Sequence, residues 1–159
     1  MEKKRVLIFP AGAENALEIY DALKFNVNVE VFGASGKKDC AEFEFDENHY
    51  IEAELYINKD NFIENLNDLI RKNSIDVIIP THDDISLYLA KHVKEINCNI
   101  LTSAYETAEV CRKKKKTFEI FKEDTFCPKV YVDKSKVSET DLPLYAKPNE
   151  SQGNSSVFE

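Results

Sequence analysis

Apolar and polar positions alternate along the chain in blocks that read in turn as strand and helix. Residues 5–9, Arg5-Val6-Leu7-Ile8-Phe9, end in an unbroken apolar run, the pattern of a strand covered on both faces. Pro10-Ala11-Gly12-Ala13 follows as a turn. Over residues 14–25 the apolar side chains Ala16, Leu17, Ile19, Tyr20 and Leu23 recur at spacings of three and four. That spacing predicts a helix with one buried face. Val27, Val29 and Val31 alternate with Asn28 and Glu30 and predict a second strand that ends at Gly33. Strand, helix and strand in so short a stretch make the βαβ unit of a parallel sheet.

Residues 34–50 are less regular. Phe43 and Phe45 alternate with Glu42 and Glu44, which predicts a short strand, and Leu55-Tyr56-Ile57 predicts another. Over residues 60–72, Phe62, Ile63, Leu66, Leu69 and Ile70 fall on one helical face, with Asn58 or Asp60 as its cap. Ile75-Asp76-Val77-Ile78-Ile79 is the strongest internal strand, stopped by Pro80. Helices are predicted over 85–96, 104–111 and 117–122, and a short strand over 98–101. Strands alternating with helices imply an α/β layer fold, with about five parallel strands between Arg5 and Leu101. After Cys111 the pattern breaks. A basic run, Arg112-Lys113-Lys114-Lys115-Lys116, precedes a polar, proline-punctuated stretch, so the reading divides the chain into residues 1–111 and 112–159.

Composition narrows the function classes. The 159 residues suit about one ordinary domain. At 43% hydrophobic and 31% charged the chain is globular rather than disordered. With 21 basic and 29 acidic residues the net charge is −8, the wrong sign for a nucleic-acid backbone partner. No apolar run approaches the roughly 20 residues of a membrane span, and 6–10 is too short for a secretory signal. The expectation is a cytoplasmic protein that handles small molecules. Cys40, Cys98, Cys111 and Cys127 form no C-x-x-C pair and read as free thiols rather than a disulfide or metal framework.

Ligands of open parallel sheets lie beyond the carboxyl ends of the strands. Three loops qualify: residues 10–14, 33–38 and 80–84. The first holds a single glycine, Gly12, and no acid closes the second strand at Phe32-Gly33, so a dinucleotide fingerprint is absent. In the third, Thr81-His82-Asp83-Asp84 is the densest polar cluster after a core strand. Two readings stay open there. The cluster touches substrate, with His82 as a general base, or Thr81 or Asp83 caps the next helix and the acids favour its positive end. The lysine run is either a solvated face or the source of one or two cleft-facing charges. In the tail, Lys147-Pro148 leads into the polar loop Ser151-Gln152-Gly153-Asn154-Ser155-Ser156. This is either a phosphate-binding loop beside a lysine or a hairpin turn.

Together these pieces resemble the ATP-grasp superfamily, specifically the carbamoyl-phosphate-synthase-like carboxylate–amine ligases. Val6-Leu7-Ile8-Phe9-Pro10-Ala11-Gly12-Ala13 is similar to the opening strand and turn of the family's preATP-grasp domain. Residues 75–84, Ile-Asp-Val-Ile-Ile-Pro-Thr-His-Asp-Asp, are similar to its DVIIPT-x-D strand and loop. The family's D-K-x-x-T motif is matched by Lys113-Lys114-Lys115-Lys116-Thr117, with Lys113 in place of the acid, and Cys127-Pro128-Lys129 follows where a C-P-K segment is expected. The family's K-P-x-x-G-x-G-S-x-G-V is matched at Lys147, Pro148, Gly153 and Val157, with Ser151 and Ser156 replacing glycines and Asn154 replacing serine.

The resemblance implies a Rossmann-like preATP-grasp domain, an open parallel sheet, followed by part of an α+β ATP-grasp subdomain. It implies ATP as cofactor, with phosphate contacts from Lys114, Lys147, Gly153, Asn154 and Ser155, and with Gly12, Thr81, His82, Asp83 and Asp84 as substrate-loop candidates. The Mg²⁺ that accompanies ATP in the family would be held by residues outside this chain. The expected role is the N-terminal part of a ligase that activates a small-molecule carboxylate as an acyl phosphate and passes it to an amine, the part alone being inactive. A non-catalytic nucleotide- or small-molecule-binding module is the alternative. A structural, homodimer-forming α/β unit is a third reading.

Overall fold

The structure, a computed structural model, describes residues 2–131 and 133–150. Among the described residues five strands and five α-helices follow in the order β1 (Lys4–Phe9), α1 (Glu14–Leu23), β2 (Val29–Ser35), β3 (Tyr50–Glu52), α2 (Phe62–Asn73), β4 (Val77–Pro80), α3 (Asp83–Lys91), β5 (Asn99–Ile100), α4 (Tyr105–Arg112) and α5 (Lys114–Phe121). The strands form one sheet in the order β3-β2-β1-β4-β5, and every pairing is parallel. This is a Rossmann-like arrangement. The order reverses between β1 and β4, the topological switch point of such a sheet.

The apolar run of β1 is explained by its central place. Leu7 and Phe9 point to one face and pack with Phe62, Leu66 and Ile70 of α2 and with Ile85 and Leu89 of α3. Ile8 points to the other face and packs with Ala16 and Tyr20 of α1 and with Phe45. Successive strand residues face opposite sides, so only a run apolar at every position serves both layers. At the amino ends of the strands charge takes over. The Asp76 carboxylate accepts from the Arg5 backbone N–H at 2.8 Å and from Lys4 Nζ at 2.8 Å. Arg5 Nε donates to Glu30 at 2.9 Å.

Several expectations need correction: β2 runs to Ser35 rather than Gly33, the N-cap position of α2 is Asn61 rather than Asn58 or Asp60, and α3 ends at Lys91 rather than 96. Residues 43–45 are not a strand: Cys40–Phe43 is a 3-10 turn whose cap, Asp39, accepts from the Ala41 N–H. Phe45 is buried against the Tyr20 ring at 4.0 Å between centroids, whereas Phe43 is 86% exposed. The two phenylalanines therefore never shared a face, as a strand would require. Leu55 is buried but lies in a loop; the edge strand is Tyr50–Glu52, paired with Gly33–Ser35. Helix α5 starts at Lys114, three residues before the predicted start, because straight-chain lysine is a good helix former. Helix α2 stops where Ser74 adopts a left-handed conformation, φ 52°.

The chain divides into two compact units, one up to Tyr105 and one from Glu106 onward. The division falls at the start of α4, whereas the sequence reading drew it at the end of that helix. No helix among the described residues is long and apolar enough to cross a membrane.

Candidate functional site

In the first unit the carboxyl ends of β1, β2 and β4 bring together the loops that the sequence singled out. Thr81 is buried. Its hydroxyl donates to the Pro10 carbonyl at 2.5 Å and its backbone N–H to the Phe9 carbonyl at 2.9 Å. Its own carbonyl accepts from Asn15 Nδ2 at 3.0 Å. Thr81 thus ties the β4 loop to the β1–α1 loop with all its polar groups. His82 occupies the N-cap position of α3 without a side-chain cap hydrogen bond, so neither Thr81 nor Asp83 is the cap. Asp83 and Asp84 lie in the first helical turn, where the positive end of the helix favours them.

Gly12 meets a residue that the sequence reading passed over. A Cβ built at Gly12 would fall 2.2 Å from Asp39 Oδ2 and 2.9 Å from Oδ1. The glycine is there for close approach. Asp39 Oδ1 also accepts from the Ala41 N–H at 3.0 Å and from the Tyr50 hydroxyl at 3.1 Å. Burial, first, pushes the Tyr50 phenol up from its ordinary value, and the charge on Asp39 adds to it. The buried Ser35 hydroxyl has no hydrogen-bond partner among the described residues. In open α/β sheets the turn after β1 is where a ligand phosphate meets the following helix. Here a carboxylate of the chain itself sits against it, which disfavours an anion.

The second unit has the opposite character. The basic run lies at the head of α5, and the Lys147-Pro148-Asn149 segment, more than thirty positions later, docks on that helix end. Lys114 N–H donates to the Asn149 carbonyl at 3.1 Å, and Lys115 N–H to Asn149 Oδ1 at 2.8 Å. The first N–H groups of a helix have no partner within it, and Asn149 satisfies two of them. The two lysine segments, Lys113 to Lys116 and the one holding Lys147, are therefore neighbours. Lys147 itself is exposed.

The lysines are sorted by a residue four positions upstream. Glu109 accepts from Lys113 Nζ at 2.7 Å through Oε1 and from Lys116 Nζ at 2.5 Å through Oε2. Lys113, then Lys116, hold its carboxyl well below the usual range, at about 2. Thr117, the last residue of the basic motif, donates its hydroxyl to the Val110 carbonyl at 2.6 Å. Farther along, Ser138 and then Lys129 hold the Asp141 carboxyl well below its ordinary value. The candidates Gly153, Asn154 and Ser155 lie outside the described residues.

The chain matches no family model and no curated protein. Among the described residues no group of three or more His, Cys, Asp or Glu is placed to hold a metal ion. The side-chain charges at the head of α5 are ammonium groups, which repel a cation.

Of the residues that sequence reasoning missed, Glu109 had a signal, the Glu-to-Lys spacing of four along a helix. Asn149 had none, because its partners lie more than thirty positions away; Asp39 caps a local turn at Ala41, but its approach to Gly12 is distant in sequence.

Proposed function

We propose that this chain is the N-terminal part of an ATP-dependent carboxylate–amine ligase of the ATP-grasp type, with the Rossmann-like unit first and the start of the nucleotide-binding domain after it. The observation that carries the reading is the joint at Asn149, which sets the segment bearing Lys147 against the head of α5. Two motifs resembling the family's phosphate-contacting segments are distant in sequence, and the reading requires them to be adjacent in space. Lys114 and Lys147 are the residues assigned to the ATP phosphates. A lysine ammonium is a compact charge suited to them, and bound ATP would supply the phosphoryl group that activates the carboxylate.

The first unit supports the same reading by its chemistry. Asp39 against Gly12 makes the β1–α1 turn a poor seat for phosphate. The nucleotide is therefore assigned to the second unit, and residues 81–84 are left for the small-molecule substrates.

Equilibrium titration of the full chain with ATP, ADP and adenosine tests this. ATP is expected to bind more tightly than adenosine, and Lys147→Ala is expected to weaken ATP by roughly tenfold while leaving adenosine unchanged. Equal binding of ATP and adenosine, or no effect of Lys147→Ala, would contradict the assignment.

A further inference from the structure

We infer that Glu109 is a positioning residue for the phosphate-contacting segment: it grips Lys113 and Lys116 and thereby sets the rotation of α5 about its axis. The inference rests on the reading of the second unit as the site of ATP phosphates. The Glu109 side chain is only 17% exposed, and its two oxygens each hold a different ammonium, at 2.7 and 2.5 Å. Lys113 is the N-cap residue of α5 and Lys116 lies in its first turn. A helix turns by about 100° per residue, so residues three apart share a side and the ones between do not. Fixing Lys113 and Lys116 on the α4 side therefore assigns Lys114 and Lys115 to other sides of α5. Thr117 adds a second tether through the Val110 carbonyl. The same first turn receives Asn149, so the rotation that Glu109 sets also determines where the Lys147 segment docks.

A carboxylate near four lysines has a second conceivable role, to lower the local positive charge. The two roles predict effects of opposite sign. If Glu109 only neutralises charge, removing it makes the site more positive and tightens a triphosphate. If it positions, removing it weakens ATP binding.

The experiment is titration of the full chain with ATP and with adenosine, for wild type, Glu109→Gln and the charge swap Glu109→Lys/Lys113→Glu. The swap keeps the net charge and returns a carboxylate to within reach of two ammonium groups, four residues back and three ahead. The positioning role predicts that Glu109→Gln weakens ATP roughly fivefold, leaves adenosine unchanged, and is rescued by the swap to within about threefold of wild type. Unchanged or tighter ATP binding by Glu109→Gln overturns it. Should Glu109→Gln unfold the second unit, the swap decides: near-wild-type ATP affinity supports the role, and a loss beyond about tenfold overturns it. Absence of ATP binding by wild type overturns the underlying reading, and this inference with it. Wild-type binding that both variants retain overturns the inference alone.

Discussion

In the first unit Leu7, Ile8, Phe9, Phe62, Leu66, Ile78 and Leu89 have almost no exposure, and they lie on both sides of the sheet. In the second unit Arg112 is the only residue among the described ones that is buried, while Ile120, Phe121, Phe126, Leu142 and Tyr145 are exposed. The charges divide the same way. Residues 1–105 hold 11 basic and 19 acidic side chains, and residues 106–159 hold 10 of each. A sheet with two covered faces gains its order from apolar burial, which is non-directional and roughly proportional to area. The second unit relies on directional contacts: Glu109 with two lysines, Lys129 with Asp141, and Asn149 with the α5 terminus. The ion pairs among them respond to pH and salt. They also sit where the chemistry is assigned, so the residues proposed to meet phosphate belong to the less deeply packed half.

The sharpest contrast comes from truncating an apolar side chain in each half. Phe62→Ala empties a fully buried site between α2 and β1 and is expected to cost about 3–5 kcal/mol in urea unfolding. Ile120→Ala, on an exposed face, is expected to change stability by less than about 0.5 kcal/mol. A comparable loss at Ile120 would break the comparison. Overpacking is the next largest effect. A Cβ at Gly33 would lie 2.8 Å from the Phe45 ring and 3.0 Å from Ala11 Cβ. Gly33→Ala should therefore destabilise the first unit by about 1–3 kcal/mol.

Acid should separate the halves. The Glu109 carboxyl is held at about 2 against an ordinary 4.5. A lowered folded-state value means that its contribution is complete above about pH 4.5 and fades as the pH falls toward about 2. Asp133 and Asp141 are also lowered and act in the same direction. The first unit has lowered acids too, Glu30 and Asp76, but keeps a core beneath them. Residue-resolved amide spectra recorded down to pH 2.5 should show the second unit losing dispersion first; simultaneous loss would count against the account. A smaller effect concerns thiols. Burial pushes the Cys98 thiol up to about 11, whereas Cys40 and Cys111 are exposed. Reaction requires the thiolate, so alkylation at neutral pH should label Cys40 and Cys111 well before Cys98, which peptide mass mapping can check.

The same contrast explains what could be read from the sequence. Elements of the first unit announce themselves because burial imposes a period: the β1 run, the three-four spacing of α2 and the strand before Pro80 were all legible. The reading failed where one buried residue imitated a pattern, as at Phe45 and Leu55. In the second unit little is buried, so periodicity had little to report, and the lysine run gave composition without orientation. Glu109 was within reach through its spacing from Lys113. Asn149 was not, since a helix terminus capped from 34 positions away leaves no local trace. At the carboxyl edge of the sheet the loops after β1 and β4 start where the sequence places them, whereas β2 runs on to Ser35, two residues past its predicted end. The use of Thr81 as a tie to Pro10 depends on the parallel register of β1 with β4, which no single segment contains.

The central claim is that ATP phosphates meet the second unit at the joint of α5 with the Lys147 segment. The most direct test is titration of isotope-labelled chain with Mg²⁺-ATP while backbone amide shifts are followed across the molecule. The account predicts progressive shifts at residues 113–117 and 145–149, with the β1–α1 turn around Gly12 unmoved. Shifts centred on Gly12 to Asn15, or no shift at any residue up to millimolar nucleotide, would contradict it.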